Sequence, residues 1–428
     1  MDLSTLAMYS LMPFQRETVN YATKNPYSIL ALGMGLGKSF CALATAVETN
    51  SKALIIAPAY LRLKWKAEIE KFFPGKIVSL FKNDKEFYPL WDTDFAIISY
   101  SYVGKADILF EWADMVIYDE AHYLKSMSAK RTEDSHRLIF ENSIKRCLML
   151  TGTPIQNRVY EFYSMIALSN YNPTIKKSDF LERFESYVDF ANHFSYLKEF
   201  DVYKGNKRVK VQQWEGFRNK EELKGYLKDC YIRFTTDEVL DLPESLHIDV
   251  PISYEDNPEL LEAFEKFTAK GEETSSASNV KAKAALAKVP FTVDYVKNLL
   301  DQCEQVVVYT DHVESCLALA KGLGVSGITG QTDMKIRQRL ADEFQAGKNR
   351  VIVATIGSFS TGIDLIAAHN MVFNDFNWVP GNMEQAMYRI LRIGQKFRCI
   401  FHRIIGSIQD HTIIGKLEEK MKTIKEVI

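Results

Sequence analysis

Cysteine is scarce in this sequence, and the few residues of this type are scattered. The chain has 6 cysteines among 428 residues, with no C-x-x-C pair and no cluster of histidine and cysteine. This pattern predicts neither a disulfide framework nor a zinc site, and it is typical of a reducing compartment. The first 15 residues lack a basic stretch followed by an apolar core, so we predict no signal peptide and a cytoplasmic protein.

An excess of one charge and a long apolar run are also missing. The 53 basic and 55 acidic residues give a net charge of -2, so binding of a polyanion would need a local patch. No apolar run reaches the roughly 20 residues that a membrane span requires, and we expect no membrane partner. Hydrophobic residues make up 46% of the chain and charged residues 25%, which excludes a mostly disordered protein.

Two blocks of alternating strands and helices are predicted, at a length that suggests two to four domains of about 150 residues. In the first block, apolar strands are predicted at 28–32, 53–57, 95–99, 115–118 and 147–151, with helical spacing between them. In the second, strands are predicted at 306–310, 351–355 and 371–373. The intervening stretch is aromatic and charged, with helices predicted at 178–190 and 220–230 and a polar link at 270–279.

A phosphate-binding loop is predicted at residues 31–39, where ALGMGLGKS follows an apolar strand and precedes a helical segment. Small residues let backbone N–H groups approach phosphates, a lysine such as Lys38 neutralises them, and a hydroxyl such as that of Ser39 binds Mg²⁺. The strict pattern has glycine five positions before Gly37, where this chain has Leu32. The strand–loop–helix context favours a phosphate site over a chance glycine-rich loop.

Two adjacent carboxylates, Asp119 and Glu120, follow the predicted strand 115–118 within the sequence DEAH. At this strand end a phosphate-loop fold holds Mg²⁺ opposite the loop hydroxyl, so we expect Asp119 to bind the ion through water. Glu120 would then orient and deprotonate the attacking water. By themselves, the four residues would more often form a solvated acidic turn.

Two further segments are candidates for contact with a nucleotide. TGTP at 151–154 ends another strand of the first block, although a simple turn has the same residue types. In the second block, Gln385, Arg389 and Arg392 are spaced to share one face of a predicted helix. Arginines on such a face can supply positive charge to a γ-phosphate held by the other block. A solvated basic helix face is the alternative.

A local basic patch is predicted in the intervening stretch, where YKGNKR at 203–208 is typical of a hairpin tip. Cations alternate there with Tyr203, Trp214 and Phe217, and lysines and arginines of this kind pair with DNA phosphates. The cations are Lys204, Lys207, Arg208, Lys210, Arg218 and Lys220. A solvated hairpin with ordinary lysines is an equally good interpretation.

These segments occur in the order found in superfamily-two helicase motors, which the chain resembles over nearly its whole length. DEAHYLK at 119–125, LTGTPIQN at 150–157 and RIGQ at 392–395 are specific to the Swi/Snf-type branch. YIRFTTDEVLDLP at 231–243 resembles the linker that leads from the first motor lobe to the second. A finer similarity, at 214–223, 286–297 and 328–347, is to the fork-remodelling, annealing-helicase subgroup and its short phage-encoded relatives.

The resemblance implies an α/β fold of two RecA-like parallel-sheet lobes in tandem, with an α-helical insertion and a linker between them. We assign lobe 1 to 1–170, the insertion with its basic hairpin to 171–245, the linker to 246–284 and lobe 2 to 285–428. ATP would lie in the cleft between the lobes, and nucleic acid would cross both lobes on another face.

The resemblance also implies a role for each residue that matches a family motif. Catalysis is implied for Lys38, Asp119, Glu120, Gln385, Arg389 and Arg392, the two arginines acting as fingers. ATP binding is implied for Phe14, Gln15, Gly33, Met34, Gly35, Leu36, Gly37, Lys38 and Ser39, with Gln15 reading adenine, and Mg²⁺ binding for Ser39 and Asp119. Coupling of nucleotide state to lobe closure is implied for His122, Thr151, Gly362 and Gln385. DNA contact is implied for Ala57, Pro58, Ser99, Tyr100, Thr310, Ser360 and Thr361, beside the hairpin cations.

Several positions depart from the branch. Leu32 and Gly33 stand where it usually has two acids, and Phe234 stands where it usually has an arginine. Asp364 replaces an asparagine, and the extra carboxylate leaves the contacts near that turn open.

The expected function is that of an ATP-dependent DNA translocase that remodels branched DNA by branch migration or fork regression. It would act as a monomer with ATP and Mg²⁺, and it would grip a duplex, a fork or a four-way junction. Backbone contacts carry little sequence information, so we expect preference for DNA shape. The alternatives are a duplex-unwinding helicase in replication, repair or transcription, and an ATP-driven remover of DNA-bound proteins. RIGQ and LTGTPIQN disfavour an RNA helicase.

Overall fold

Short apolar strands, most of them followed by amphipathic helices, build two parallel sheets. The computed structural model describes residues 11–83, 86–87, 90, 92–155, 158–171, 179–204, 207–252, 275–302, 305–358, 363–406 and 408–427. The chain divides into two compact units, and each carries one of the sheets. Both units are RecA-like α/β lobes, as the sequence predicts.

The first lobe alternates strands and helices from its beginning. It starts with α1 (Pro13–Lys24), β1 (Tyr27–Leu32), α2 (Lys38–Glu48), β2 (Ala53–Ala57), α3 (Arg62–Phe72), β3 (Val78–Leu80) and β4 (Phe95–Ser99). It continues with α4 (Asp107–Trp112), β5 (Met115–Asp119), α5 (Lys130–Glu141), β6 (Arg146–Leu150) and α6 (Tyr163–Ser169). Short 3₁₀ helices occupy Tyr100–Lys105, Ala121–Leu124 and Val159–Phe162.

The insertion that follows contains helices and a two-stranded hairpin. Its elements are α7 (Asp179–Arg183), α8 (Tyr187–Phe194), β7 (Tyr196–Lys204), β8 (Lys207–Glu215) and α9 (Lys220–Leu227). The helix predicted at 178–190 is split in two, because Ser186 is extended and its hydroxyl accepts a hydrogen bond from the Asp189 amide at 3.2 Å. An N-cap of this kind starts a new helix.

The first sheet has the strand order β3-β4-β2-β5-β6-β1-β9, in which β9 (Tyr231–Phe234) pairs in parallel with β1. Residues 231–234 were expected in the insertion, and the structure instead makes them a strand of the first lobe. Without β9, the fully buried strand β1 would lie at the sheet edge with unpaired backbone groups. The short helix α10 (Thr236–Val239) follows β9.

The second lobe has a sheet of its own, with the strand order β10-β15-β14-β11-β13-β12. Its strands are β10 (Ser245–Pro251), β11 (Val306–Thr310), β12 (Gly327–Ile328), β13 (Val351–Thr355), β14 (Asn370–Phe373) and β15 (Cys399–Ile405). Its helices are α11 (Ser275–Ala287), α12 (Val289–Leu300), α13 (Val313–Leu323), α14 (Met334–Gln345), α15 (Pro380–Met387) and α16 (Ile408–Val427). No helix among the described residues combines the length and apolar character of a membrane span.

The first strand of this second sheet lies in the segment predicted to be a linker. β10 pairs in parallel with β15 from Ser245, opposite Cys399, to Pro251, opposite Ile405. Its side chains are exposed or half-buried, as expected for an edge strand. The alternation of Leu246, Ile248 and Val250 is the local signal that would have predicted this strand.

A buried ion pair joins two distant segments of the second lobe. Lys288 is 2% exposed, and its Nζ lies 3.2 Å from both carboxylate oxygens of Asp410 and 3.2 Å from the Ile404 carbonyl oxygen. Asp410 also accepts the Gly406 amide at 2.8 Å. The pair thus connects the start of α12 to the end of β15 and the start of α16.

Cysteine serves as a small apolar residue in the part of the chain that the structure describes. The five cysteines found there are free and buried. Burial raises the pKa of the Cys41 thiol to about 12 and that of Cys230 to about 11. These thiols are therefore protonated at neutral pH and poor nucleophiles.

Candidate functional site

The predicted phosphate loop connects the carboxyl end of β1 to the amino end of α2. Gly35 and Gly37 have φ of +77° and +80°, a left-handed conformation that side chains with a Cβ rarely adopt. These turns bring the chain back so that α2 begins at Lys38, directly after the loop. A loop of small residues that ends at a helix amino terminus is suited to anion binding.

Lys38 lies across the mouth of this loop. Its Nζ donates to the carbonyl oxygens of Leu32 and Gly33, at 3.0 and 3.3 Å. Because β6 pairs with β1, Gly152 comes next to the loop, and a Cβ built there would lie 3.3 Å from Lys38 Nζ. The structure therefore brings TGTP against the phosphate loop, and Gly152 leaves space for the lysine.

Gln15, predicted to read adenine, contacts the same loop from α1. Its Nε2 donates to the Leu36 carbonyl oxygen at 3.0 Å, and its Oε1 accepts the Met12 amide at 3.0 Å. A Cβ at Gly37 would lie 2.6 Å from Gln15 Nε2 and would displace this amide, and the positive φ of Gly37 also favours glycine. The structure places Gln15 against the loop, and its role with adenine stays a prediction. The neighbouring Phe14 ring packs on Phe234, with centroids 5.8 Å apart.

Asp119 ends β5, two strands away from the phosphate loop in the sheet order. Its Oδ2 accepts a hydrogen bond from the Trp65 indole at 2.7 Å, and its Oδ1 accepts the Glu120 amide at 3.0 Å. Burial raises the pKa of Asp119 to about 6, and the charge of Glu120 adds to this effect. A positive charge at this position would therefore be stabilising.

Glu120 has a strained backbone, with φ of +51° in a residue that is not glycine. Its Oε2 lies 3.3 Å from Nδ1 of His122, which is predicted to couple nucleotide state to closure. The Tyr100 hydroxyl donates to the Asp119 carbonyl oxygen at 2.8 Å and anchors the same turn. Strain of this kind often marks functional sites, and here it turns the chain sharply between two carboxylates.

The oxygen atoms of Ser39 and Asp119 fit a magnesium ion. A hydroxyl and a carboxylate are hard ligands of the type that Mg²⁺ prefers, and it usually keeps several waters. The raised pKa of the buried Asp119 carboxyl, with Glu120 beside it, shows a deficit of positive charge that a divalent cation would correct. The site's chemistry therefore suits a nucleotide phosphate together with its metal ion.

The arginines of the second lobe differ from the sequence prediction. Gln385 lies on α15, but this helix ends at Met387, so the single helical face expected for Gln385, Arg389 and Arg392 is wrong. The chain turns there instead, and the Arg389 amide bonds to the Ala386 carbonyl oxygen at 3.1 Å.

Contacts with a neighbouring loop hold this turn in place. The Arg389 carbonyl oxygen accepts the Leu365 amide at 2.9 Å, and the Gln395 side chain donates to the carbonyl oxygens of Ala368 and Ile390. Arg392 forms an ion pair with Asp364, one of the positions that depart from the family. Asp364 therefore gives Arg392, the predicted arginine finger, an ion-pair partner within the chain.

The residues predicted to contact DNA lie at the carboxyl ends of their strands, but the described side chains are buried. Ala57 and Thr310 have 0% exposure, Ser99 3% and Tyr100 5%, and Pro58 is also buried. The hydroxyl of Thr310 donates to Asp375, and that of Tyr100 donates to Asp119. A direct side-chain contact with DNA is therefore not open to these residues in this structure. Ser360, Thr361 and Gly362 lie outside the described residues.

Two of the hairpin cations, Arg208 and Lys210, are exposed and paired. Arg208 forms an ion pair with Asp201, and Lys210 Nζ lies 3.1 Å from Glu199 Oε2. For Lys204 and Lys207 only the backbone is described, within β7 and β8. The patch is therefore less basic than its cations alone indicate, because cross-strand acids offset two of them.

Two residues of α3 lie at the site: Trp65, which belongs to a family motif but has no predicted role, and Glu68, which no sequence pattern indicates. Trp65 donates to Asp119. Burial raises the pKa of Glu68, and the neighbouring Ser39 hydroxyl partly offsets that rise, so both residues lie beside predicted magnesium ligands. Their spacing of three residues on a helix directly after the strand end at 57–58 is the signal that would have found them.

Comparison with known proteins shows which family this chain belongs to. The model of the SNF2-related domain matches residues 14–268, and the model of the helicase conserved C-terminal domain matches 291–394. The chain is 28% identical to the SWI/SNF-related matrix-associated actin-dependent regulator of chromatin subfamily A-like protein 1 of Xenopus tropicalis, over 97% of this chain and 44% of that protein. It is 26% identical to the human DNA annealing helicase and endonuclease ZRANB3, over 96% of this chain and 40% of that protein.

Among solved structures, the Sulfolobus solfataricus SWI2/SNF2 ATPase core in complex with dsDNA is similar, with 22% identity and a TM-score of 0.45. The alignment covers 98% of this chain and 93% of that one. By contrast, the chain spans less than half the length of the two curated relatives named above.

Proposed function

The chain belongs to the SNF2-related domain family, and from this premise we propose that it is an ATP-dependent DNA translocase that remodels branched DNA. ATP hydrolysis on the first lobe's strand ends would drive movement along the duplex. Branch migration and fork regression are the reactions that we propose for this movement.

The observation that carries the ATPase proposal is the convergence of three strand ends in the first lobe. The phosphate loop after β1, the carboxylates after β5 and TGTP after β6 lie at neighbouring positions on one edge of the sheet. An anion-binding loop and a pair of carboxylates at this spacing are what phosphoryl transfer to water needs.

Each residue of this set has a distinct role in the proposed reaction. Lys38 and the N–H groups of the loop bind the phosphates, and Ser39 and Asp119 hold Mg²⁺, which neutralises phosphate charge when bound. Glu120 accepts a proton from the attacking water. The water oxygen bonds to the γ-phosphorus, and ADP leaves. Arg392 would supply further charge from the second lobe once its pair with Asp364 opens.

The branched-DNA part of the proposal has support from the relatives. One matched protein is named a DNA annealing helicase, and the match covers 96% of this chain. That protein is more than twice as long, so its activity does not transfer to this chain without a test. The exposed cations of the hairpin offer one surface for a DNA backbone.

Steady-state ATP hydrolysis with a panel of nucleic acids tests this proposal. The full chain is assayed without nucleic acid and with single-stranded DNA, duplex, forked DNA, a four-way junction and structured RNA. Lys38→Ala is the negative control, since it removes the ammonium that faces the phosphates. Exposed Lys52, at the opposite end of the sheet, provides the matched variant Lys52→Ala.

We expect forks and junctions to stimulate hydrolysis most, with dissolution of the junction visible in a gel. Equal stimulation by plain duplex would reject branched-DNA remodelling and favour removal of DNA-bound proteins. Separation of a plain duplex into single strands would favour the unwinding helicase, and stimulation by RNA alone would overturn the DNA assignment.

A further inference from the structure

Helix α3 places two polar side chains against the two predicted magnesium ligands. Trp65 is 2% exposed, and its indole Nε1 donates to Asp119 Oδ2 at 2.7 Å. Hydrogen bonds from a neutral donor to a carboxylate are short and strong when both groups are buried, and Asp119 is 5% exposed. Since the Glu120 amide holds Asp119 Oδ1, both oxygens of this carboxylate have a fixed direction.

Glu68 contacts the other ligand from the same helix face. It lies three residues after Trp65, so the two side chains point to one side of α3. Its carboxylate forms an ion pair with Lys64 at 3.7 Å. Burial raises the pKa of this carboxyl, and Lys64 and the neighbouring Ser39 hydroxyl partly offset that rise. When the Ser39 hydroxyl donates its hydrogen bond to Glu68, the lone pairs of its oxygen are left for a cation.

We propose that Trp65 and Glu68 are positioning residues that orient Asp119 and Ser39 for magnesium, without contacting metal or nucleotide themselves. This inference rests on the proposed function, because it assigns the helix after β2 a role in the same ATP site. The residue type of Trp65 suits this role, because an indole N–H has no lone pair and no charge. It can therefore orient a carboxylate but cannot replace it as a ligand.

Partners of metal ligands have a measurable effect on metal affinity. Loss of such a partner typically weakens metal binding by 10- to 100-fold, because the ligand becomes free to rotate. We therefore expect Trp65→Phe and Glu68→Ala to lower the factor by which Mg²⁺ strengthens ADP binding by about tenfold each. Binding of ADP in the presence of EDTA stays unchanged, since neither residue contacts the nucleotide.

The chain provides a matched control for each variant. Trp112 also has a buried indole N–H, but this group has no hydrogen-bond partner among the described residues, so Trp112→Phe removes an N–H of no consequence. Glu70 is paired with Lys66 at 3.6 Å, two residues beyond the Lys64 and Glu68 pair, and its side chain is 57% exposed. Glu70→Ala therefore removes a similar ion pair away from Ser39.

Calorimetric titration of the full chain with ADP, in EDTA and over a series of Mg²⁺ concentrations, measures the effect directly. Glu68→Gln keeps an acceptor for the Ser39 hydroxyl, and we expect it to recover most of the enhancement by Mg²⁺. If Trp65→Phe fails to fold, as a thermal melt would show, Glu68→Ala and Glu68→Gln decide the question.

If Mg²⁺ strengthens ADP binding in Trp65→Phe or Glu68→Ala as much as in the matched control, this inference is overturned. Absence of Mg²⁺-dependent ADP binding in the unaltered chain is a separate result. It would overturn the ATP site itself, and with it the proposed function.

Discussion

Glu120 shows how one residue can combine strain with chemistry. A left-handed backbone outside glycine costs about 1 to 3 kcal/mol, and the surrounding structure must compensate for it. Here the Tyr100 hydroxyl and the Asp119 side chain both bond to the strained turn. The result is that two carboxylates follow one strand and still point to different neighbours, Trp65 for Asp119 and His122 for Glu120.

Burial of His136 makes the stability of the first lobe depend on pH. The ring Nε2 lies 2.9 Å from Ser164 Oγ, and burial lowers the pKa of His136 to about 4, from about 6.5 in an unfolded chain. Below pH 6.5 the unfolded chain takes up a proton that the folded lobe does not, so this contribution to stability is lost between pH 6.5 and 4.

We expect His136→Gln to reduce this loss, by up to about 3 kcal/mol near pH 4.5. Urea unfolding of both proteins at pH 7, 5.5 and 4.5 measures the free energy of unfolding. His193→Gln is the control. His193 lies 2.7 Å from Glu222, whereas Ser164 is the partner of His136, so this variant should leave the contribution of His136 in place. Equal slopes against pH in the unaltered chain and His136→Gln would contradict the assignment.

The hairpin of β7 and β8 carries cations that form ion pairs with acids of the opposite strand. Its cations Arg208 and Lys210 face Asp201 and Glu199 on the partner strand, and all four side chains are exposed. Exposed ion pairs contribute little to stability, so the charges of these four side chains can be changed without unfolding the protein. DNA would compete with the two acids for the same two cations.

This competition gives opposite predictions for the two strands. Arg208→Gln with Lys210→Gln should weaken duplex binding and flatten its dependence on salt, since each phosphate contact adds to the salt slope. Glu199→Gln with Asp201→Asn should strengthen binding, because it removes two carboxylates that compete with DNA for these cations. Fluorescence anisotropy over a salt series measures both, and DNA-free ATP hydrolysis should stay constant. Unchanged affinity in both double variants would make the hairpin a solvated surface element.

At the scale of the whole molecule, the predicted catalytic residues belong to two separate units. Lys38, Asp119 and Glu120 lie in the first unit, and Gln385 and Arg392 lie in the second. Nucleotide binding and hydrolysis should therefore be separable by substitution. An arginine finger, the role predicted for Arg392, would act only in the transition state, when charge develops on the γ-phosphate.

We expect Arg392→Ala to bind ADP with unaltered affinity and to lose about 10³-fold in DNA-stimulated hydrolysis. Asp364→Asn, which restores the residue usual in the family, should release Arg392 and keep or raise the rate. Equilibrium binding and steady-state hydrolysis on the same preparations measure the two effects. Normal hydrolysis by Arg392→Ala would exclude it as a finger.

The sequence by itself determined the residues of the first lobe's site and their order along the chain. The apolar strands β1, β2 and β5, which the structure buries at every position, are recognisable in the sequence. The candidate site residues follow the ends of such strands. Parallel strands bring their carboxyl ends to one edge of the sheet, so Lys38, Asp119 and Thr151 were expected at the same edge. The glycines of the phosphate loop can likewise be interpreted from the local sequence, because a positive φ at a single residue favours glycine.

Only the tertiary structure decided which partners those residues have. The pairing of β9 with β1 and of β10 with β15 joins segments far apart in the chain, and no local pattern encodes it. The end of α15 before Arg389 follows from bonds to a distant loop, and the contacts of Trp65 and Glu68 follow from the packing of α3. Local sequence sets backbone preference and chemical type, whereas contact between distant residues depends on how all elements pack at once.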